Sequence, residues 1–66
     1  MSSTDRLVYM ANQIAINLAT DHDPVGATLR HIQLYWDPRM KKLIKENDGN
    51  NLSPVAAAAI IRLAET

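Results

Sequence analysis

Asp21-His22-Asp23 sets three potential metal ligands in a row, and an imidazole beside carboxylates is a donor set that suits a divalent transition metal or a proton relay. Adjacent residues in a turn point in different directions, however, and do not easily converge on one ion. Asp23 also precedes Pro24, which gives it a helix-capping task. The loop and capping reading is therefore preferred to a metal site. His31 stands four residues before Tyr35, a helical spacing that packs two rings side by side. No nucleophile or paired carboxylate has a spacing that would use either imidazole as a base. Gly26 and Gly49 are the only glycines, and they stand too far apart to form a phosphate-cradling loop. The expectation is that this chain carries no catalytic, cofactor-binding or metal-binding residue.

Charge concentrates only at Arg39, Lys41, Lys42 and Lys45. Its preferred reading is the solvated face of a helix; the alternatives are docking to an acidic patch, or an independent helical regulatory or nucleic-acid-binding module using the Arg39 to Lys45 face. Nucleic acid is disfavoured, because no aromatic side chains are interleaved there for base stacking. Seven Lys plus Arg also balance seven Asp plus Glu, for a formal net charge of +0, unlike the basic footprint of a general nucleic-acid binder.

A chain of 66 residues has room for a single domain, 1–66, with one modest core, and folding so short a chain leaves little free energy beyond the cost of ordering it. With no cysteine, disulfides and thiolate metal sites are excluded, and residence in the cytoplasm is permitted. The longest uncharged run, Leu7 to Thr20, falls short of the roughly 20 apolar residues a membrane span needs. Asn12, Gln13 and Asn17 interrupt it, and a Ser-Ser-Thr-Asp start with a single Arg6 is a poor match to a signal peptide. The expected location is the cytoplasm, with no membrane contact.

The elements that must position any site are punctuated by three prolines, each after a residue type that caps helices: Asp23-Pro24, Asp37-Pro38 and Ser53-Pro54. Ser2 with Asp5 fits a capping box for an earlier helix. The pattern predicts an all-α bundle of four short helices joined by tight capped turns. Helix 1 runs from about Thr4 to Ala19, with Leu7, Ala11, Ile14 and Leu18 on one face. Helix 2 follows Asp23 with the stripe Val25, Leu29, Ile32 and Trp36, and ends near Trp36 because Pro38 forces Asp37 out of helical geometry. Helix 3 turns Met40, Leu43 and Ile44 inward and Lys41, Lys42, Lys45 and Glu46 outward, then stops in Asn47-Asp48-Gly49-Asn50-Asn51. Helix 4 begins after Ser53 and continues to about Leu63, with Ala56, Ile60 and Leu63 on one side.

Helix 1 carries no charge on any side from Leu7 to Thr20. At about 100° per residue, Tyr9 and Ile16 fall almost opposite the Leu7, Ile14 and Leu18 stripe. A helix that is apolar around most of its surface is usually buried, and so small a domain covers only one side of it. Amides such as Asn12 and Gln13 can bond across an interface without the desolvation cost of a charge. The alanines at 11, 15 and 19 and the run Ala56 to Ala59 form small ridges that either pack inside the domain or admit another protein's helix, and the second is preferred. Trp36 ends the helix 2 stripe at the Asp37-Pro38 corner. It is expected to wedge between helices 1, 2 and 3, while the group of Tyr35, Trp36 and Arg39 has the composition of a binding hot spot. The expected partner-binding residues are Tyr9, Asn12, Gln13, Ile16, Tyr35, Trp36, Arg39 and Met40.

Met10-Ala11-Asn12-Gln13-Ile14-Ala15, then His31-Ile32 leading into Tyr35-Trp36-Asp37-Pro38-Arg39-Met40, then Leu52-Ser53-Pro54-Val55 before an Ala-rich helix, resemble the delta subunit of soluble NAD-dependent formate dehydrogenases. Tyr35 stands where that family often has Phe. The resemblance implies a non-catalytic accessory subunit of a cytoplasmic multi-subunit complex, docked on its large catalytic subunit and supporting assembly, stability or cofactor insertion. Partner subunits would carry a molybdenum or tungsten bis-pterin centre, iron–sulfur clusters, FMN and NAD. Formate would be oxidised on those partners. A self-associating helical dimer is the remaining reading of the same apolar surface.

Overall fold

Each helix begins at the residue its sequence marks as a cap. In the computed structural model, which describes residues 2–47 and 51–65, α1 (Ser3–Asn17) opens on a closed capping box. The Ser2 hydroxyl accepts the Asp5 amide at 3.1 Å, and the Asp5 carboxylate accepts the Ser2 amide at 3.2 Å. For α2 (Pro24–Tyr35) the Asp23 carboxylate accepts the Gly26 amide at 3.1 Å, and for α3 (Pro38–Lys45) that of Asp37 accepts the Met40 amide at 2.8 Å. A Cβ at Gly26 would collide with the Asp23 carboxylate, so the missing side chain lets that cap fold in. Before α4 (Pro54–Glu65) the Ser53 hydroxyl accepts the Ala56 amide at 3.3 Å. The architecture is all-α, four short helices with no strand among the described residues.

Helix ends depart from the sequence reading more than starts do. Helix α1 stops at Asn17, two residues short of Ala19, because its last turn tightens: the Ala19 amide bonds the Ile16 carbonyl at 3.2 Å and the Asp21 amide bonds that of Leu18 at 3.0 Å. Helix α2 ends at Tyr35, and Trp36 is already extended at ψ 139°, followed by Asp37 at ψ 168° as the residue before a proline requires. Helix α4 runs on to Glu65, beyond the expected Leu63. Of the turn expected at residues 47–51, Asp48, Gly49 and Asn50 lie outside the described residues. Asn51 takes a left-handed φ of 68°, a conformation asparagine tolerates better than most residues.

The core draws on every helix. Leu7, Val8, Ala11 and Ala15 from α1 meet Ile32 and Trp36, Ile44, and Ala56, Ile60 and Leu63, with α2 packed most extensively on α4. Each small ridge turns two alanines into the core, while Ala57 and Ala58 stay half-buried. Ala11, Ala15, Ala56 and Ala59 are all buried within the domain, which corrects the preference for their meeting another protein: their short side chains let the helices of this chain approach one another. Ala19 stays exposed beyond the end of α1.

Two polar contacts lock the connections. The Asn12 amide donates through Nδ2 to the Asn51 carbonyl and accepts the Ser53 amide on Oδ1, both at 2.8 Å. It thereby ties the segment entering α4 to the flank of α1. The Lys41 ammonium donates to the Gln33 carbonyl at 2.9 Å, one of the last carbonyls of α2 without a helical partner and on the negative end of its dipole. Lys41 is partly buried there, a correction to its placement on an outward basic face.

Candidate docking surface

The chain spans only 31 × 23 × 18 Å along its principal axes, about two helix diameters in its thinnest direction. Every helix must therefore keep one side toward solvent, and what lies on that side is decided by residue type. Tyr9, Ile16, Leu34, Tyr35 and Ile61 are 57%, 64%, 68%, 72% and 62% exposed. Tyr9 and Ile16 share one side of α1 and Leu34 adjoins Tyr35, so these four are grouped rather than scattered singly as surface hydrophobes that need no explanation are.

Tyr9, Gln13 and Ile16 occupy the outward side of α1, where the Gln13 amide donates to the Tyr9 hydroxyl at 2.9 Å. This bond joins successive turns and presents an aromatic and an amide as one unit. Around the corner, Tyr35 lies against His31 with ring centroids 4.8 Å apart and planes tilted by 45°, the side-by-side packing expected from their spacing. Leu34 adjoins them in a shallow depression closed by Leu18 and Ala27. Arg39 and Met40 are elsewhere, in a cleft between α1 and α3 that also includes Arg6, Met10 and Leu43.

The eight residues expected to bind a partner thus do not form one patch. Tyr9, Gln13 and Ile16 share one face, Arg39 and Met40 share a cleft on α1, and Tyr35 stands beside Leu34. Asn12 is committed to the α4 connection. Trp36, expected to serve core and partner on different ring faces, is 5% exposed and belongs to the core. Leu34 and Ile61 were missed. Each lies off the inward stripe of its helix, so a wheel drawn on the cap-defined boundaries would have exposed both. Ile61 borders a groove with Leu52, Ala57 and Ala64 between α4 and the end of α3, where Lys45 also lines it.

Both histidines lie near the ends of α2, His22 in the turn before it and His31 against Tyr35. His22 is beside Asp21 at 3.6 Å, and Asp21 in turn accepts the Asp23 amide at 2.9 Å. Among the described residues no three His, Asp or Glu side chains are grouped to hold a metal ion, and no helix is long and apolar enough to cross a membrane.

The fold and its surface define the class: a small all-α domain of four capped helices that leaves large apolar side chains in solvent. Residues 6–60 match the family described as the NADH-dependent formate dehydrogenase delta subunit FdsD, and the chain belongs to that family. It is one subunit of a formate dehydrogenase complex that contains others. Searches of curated proteins and of solved structures returned no match.

Proposed function

We propose that this chain is a non-catalytic accessory subunit, docked on the large catalytic subunit of a cytoplasmic formate dehydrogenase, where it supports assembly, stability or cofactor insertion. The molybdenum or tungsten bis-pterin centre, iron–sulfur clusters, FMN and NAD belong to its partners under this reading, and formate is oxidised there. The observation that carries the proposal is the outward side of α1: Tyr9 and Ile16 are both more than half exposed on a helix with no charge between Leu7 and Thr20. Burial against a partner removes that apolar area from water, at about 25 cal/mol per Å². Past Asp5 at the start of the helix, the polar groups on this face are the Gln13 amide and the Tyr9 hydroxyl, which cross an interface at lower cost than charges.

A nucleic-acid role for the Arg39 to Lys45 face is weakened by the tie of Lys41 to Gln33. The test is the double variant Tyr9→Lys/Ile16→Lys, purified with the complex from its native host. Loss of the small chain from the purified complex is the expected outcome, because each substitution places an ammonium in a desolvated interface. Retention at the wild-type level, with unchanged formate oxidation, would show that this face does not dock.

A further inference from the structure

The cleft between α1 and α3 has a character different from the outward side of α1. Its walls supply Met10 from one helix and Met40 and Leu43 from the other, all partly buried and all packed at the edge of the core. Thioether side chains are flexible and polarisable and adapt to the shape of an apolar guest. Arg6 stands on the α1 rim and Arg39 on the α3 rim, both exposed, and neither makes an ion pair among the described residues. Beyond Arg39, Lys42 follows on the same exposed side of α3 and is likewise without an ion pair there. The single acid lining the cleft, Asp37, has its carboxylate on the Met40 amide as a helix cap.

An apolar trough with cations along both edges is the complement of a segment that is apolar on one side and acidic on its flanks. We infer that this cleft receives an amphipathic acidic segment of the partner polypeptide, apolar side chains on Met10, Met40 and Leu43 and carboxylates on Arg6 and Arg39. The guanidinium is suited to the role because its planar fork grips a carboxylate through two parallel hydrogen bonds. Electrostatic attraction along the rims orients the segment before the apolar contacts close, so the cleft sets which segment docks while the apolar face of α1 supplies area. The inference rests on the proposed docking to a larger subunit and specifies the chemistry of one contact.

Because the chain has no cysteine, single-cysteine variants address the cleft and the α1 face separately. Ser3→Cys at the cleft rim and Ile16→Cys on the outward face of α1, each carrying a maleimide benzophenone, are assembled into the complex, irradiated, and the crosslinked partner peptides sequenced. The expected result is a crosslink from position 3 to a partner segment rich in Asp and Glu, distinct from the segment reached from position 16. In parallel, Arg6→Glu/Arg39→Glu changes only exposed side chains and should lower retention of the chain in the complex about tenfold at low salt, with the deficit shrinking as salt rises. A crosslink from position 16 alone, or one from position 3 to a basic or neutral segment, overturns the cleft assignment and leaves the docking proposal standing. No crosslink from either position overturns both. Charge-reversal retention equal to wild type at every salt concentration overturns the acidic character of the guest.

Discussion

Asn12 shows how a single side chain can do what sequence alone assigns elsewhere. Its amide is the right size to imitate a peptide group, and it meets the Asn51 carbonyl and the Ser53 amide as a neighbouring strand would. Replacing Asn12 with Ala should destabilise the chain by about 1–3 kcal/mol, since the partly buried Ser53 amide is left without its acceptor. Asn12→Asp should be at least as damaging despite its shape, because a carboxylate oxygen would then oppose the Asn51 carbonyl. Equal stability of the Asp variant and wild type in urea titrations would contradict this account. Thr28 presents the opposite case. It is fully buried and its hydroxyl has no hydrogen-bond partner among the described residues, so it bears a desolvation cost without return. Thr28→Val keeps the shape and removes the hydroxyl, and is expected to stabilise by about 1 kcal/mol, raising the melting temperature by about 4–8 °C for a domain of this size. A lower melting temperature would mean the hydroxyl has an acceptor after all.

Between the helices, the corner at residues 36–38 is the controlling feature. Two consecutive extended residues, Trp36 and Asp37, swing the chain from α2 into α3, and the indole at the bend fills the space that the change of direction opens in the core. The Lys41 contact to Gln33 spans the same corner from outside, so helix α3 is held by a buried ring on one side and an ammonium on the other. Trp36→Ala should cost about 3–5 kcal/mol, enough to unfold a domain whose total stability is of that order. The far-ultraviolet circular dichroism of that variant should show loss of helix at 25 °C, whereas full helicity would place the indole outside the core.

For the molecule as a whole, size governs. At about two helices thick, the domain has interior for a limited set of side chains, and α1 presents apolar groups both inward and outward. The Tyr9→Lys/Ile16→Lys substitution proposed above should therefore act in opposite directions on two measurements. The isolated chain becomes more soluble, since charge replaces apolar surface on a molecule of net charge +0, while its retention in the complex falls. A change in both in the same direction would indicate unfolding rather than a lost contact.

The starts of the helices and their number were legible because they depend on neighbours in sequence: a cap needs an acceptor and an amide three residues on, and Asp-Pro and Ser-Pro carry that information locally. So were the His31 and Tyr35 pair and the apolar outward side of α1. Of the inward stripes, by contrast, Leu18 and Val25 stay only partly buried, and Val8 and Thr28 are buried instead. The fate of the alanine ridges, the commitment of Asn12 to residues 51 and 53, the retreat of Lys41 from the basic face and the pairing of Met10 with Met40 across a cleft were decided only by tertiary structure. Each depends on which helices become neighbours and at what angle, and that is settled by the packing of all four together rather than by the periodicity of any one of them.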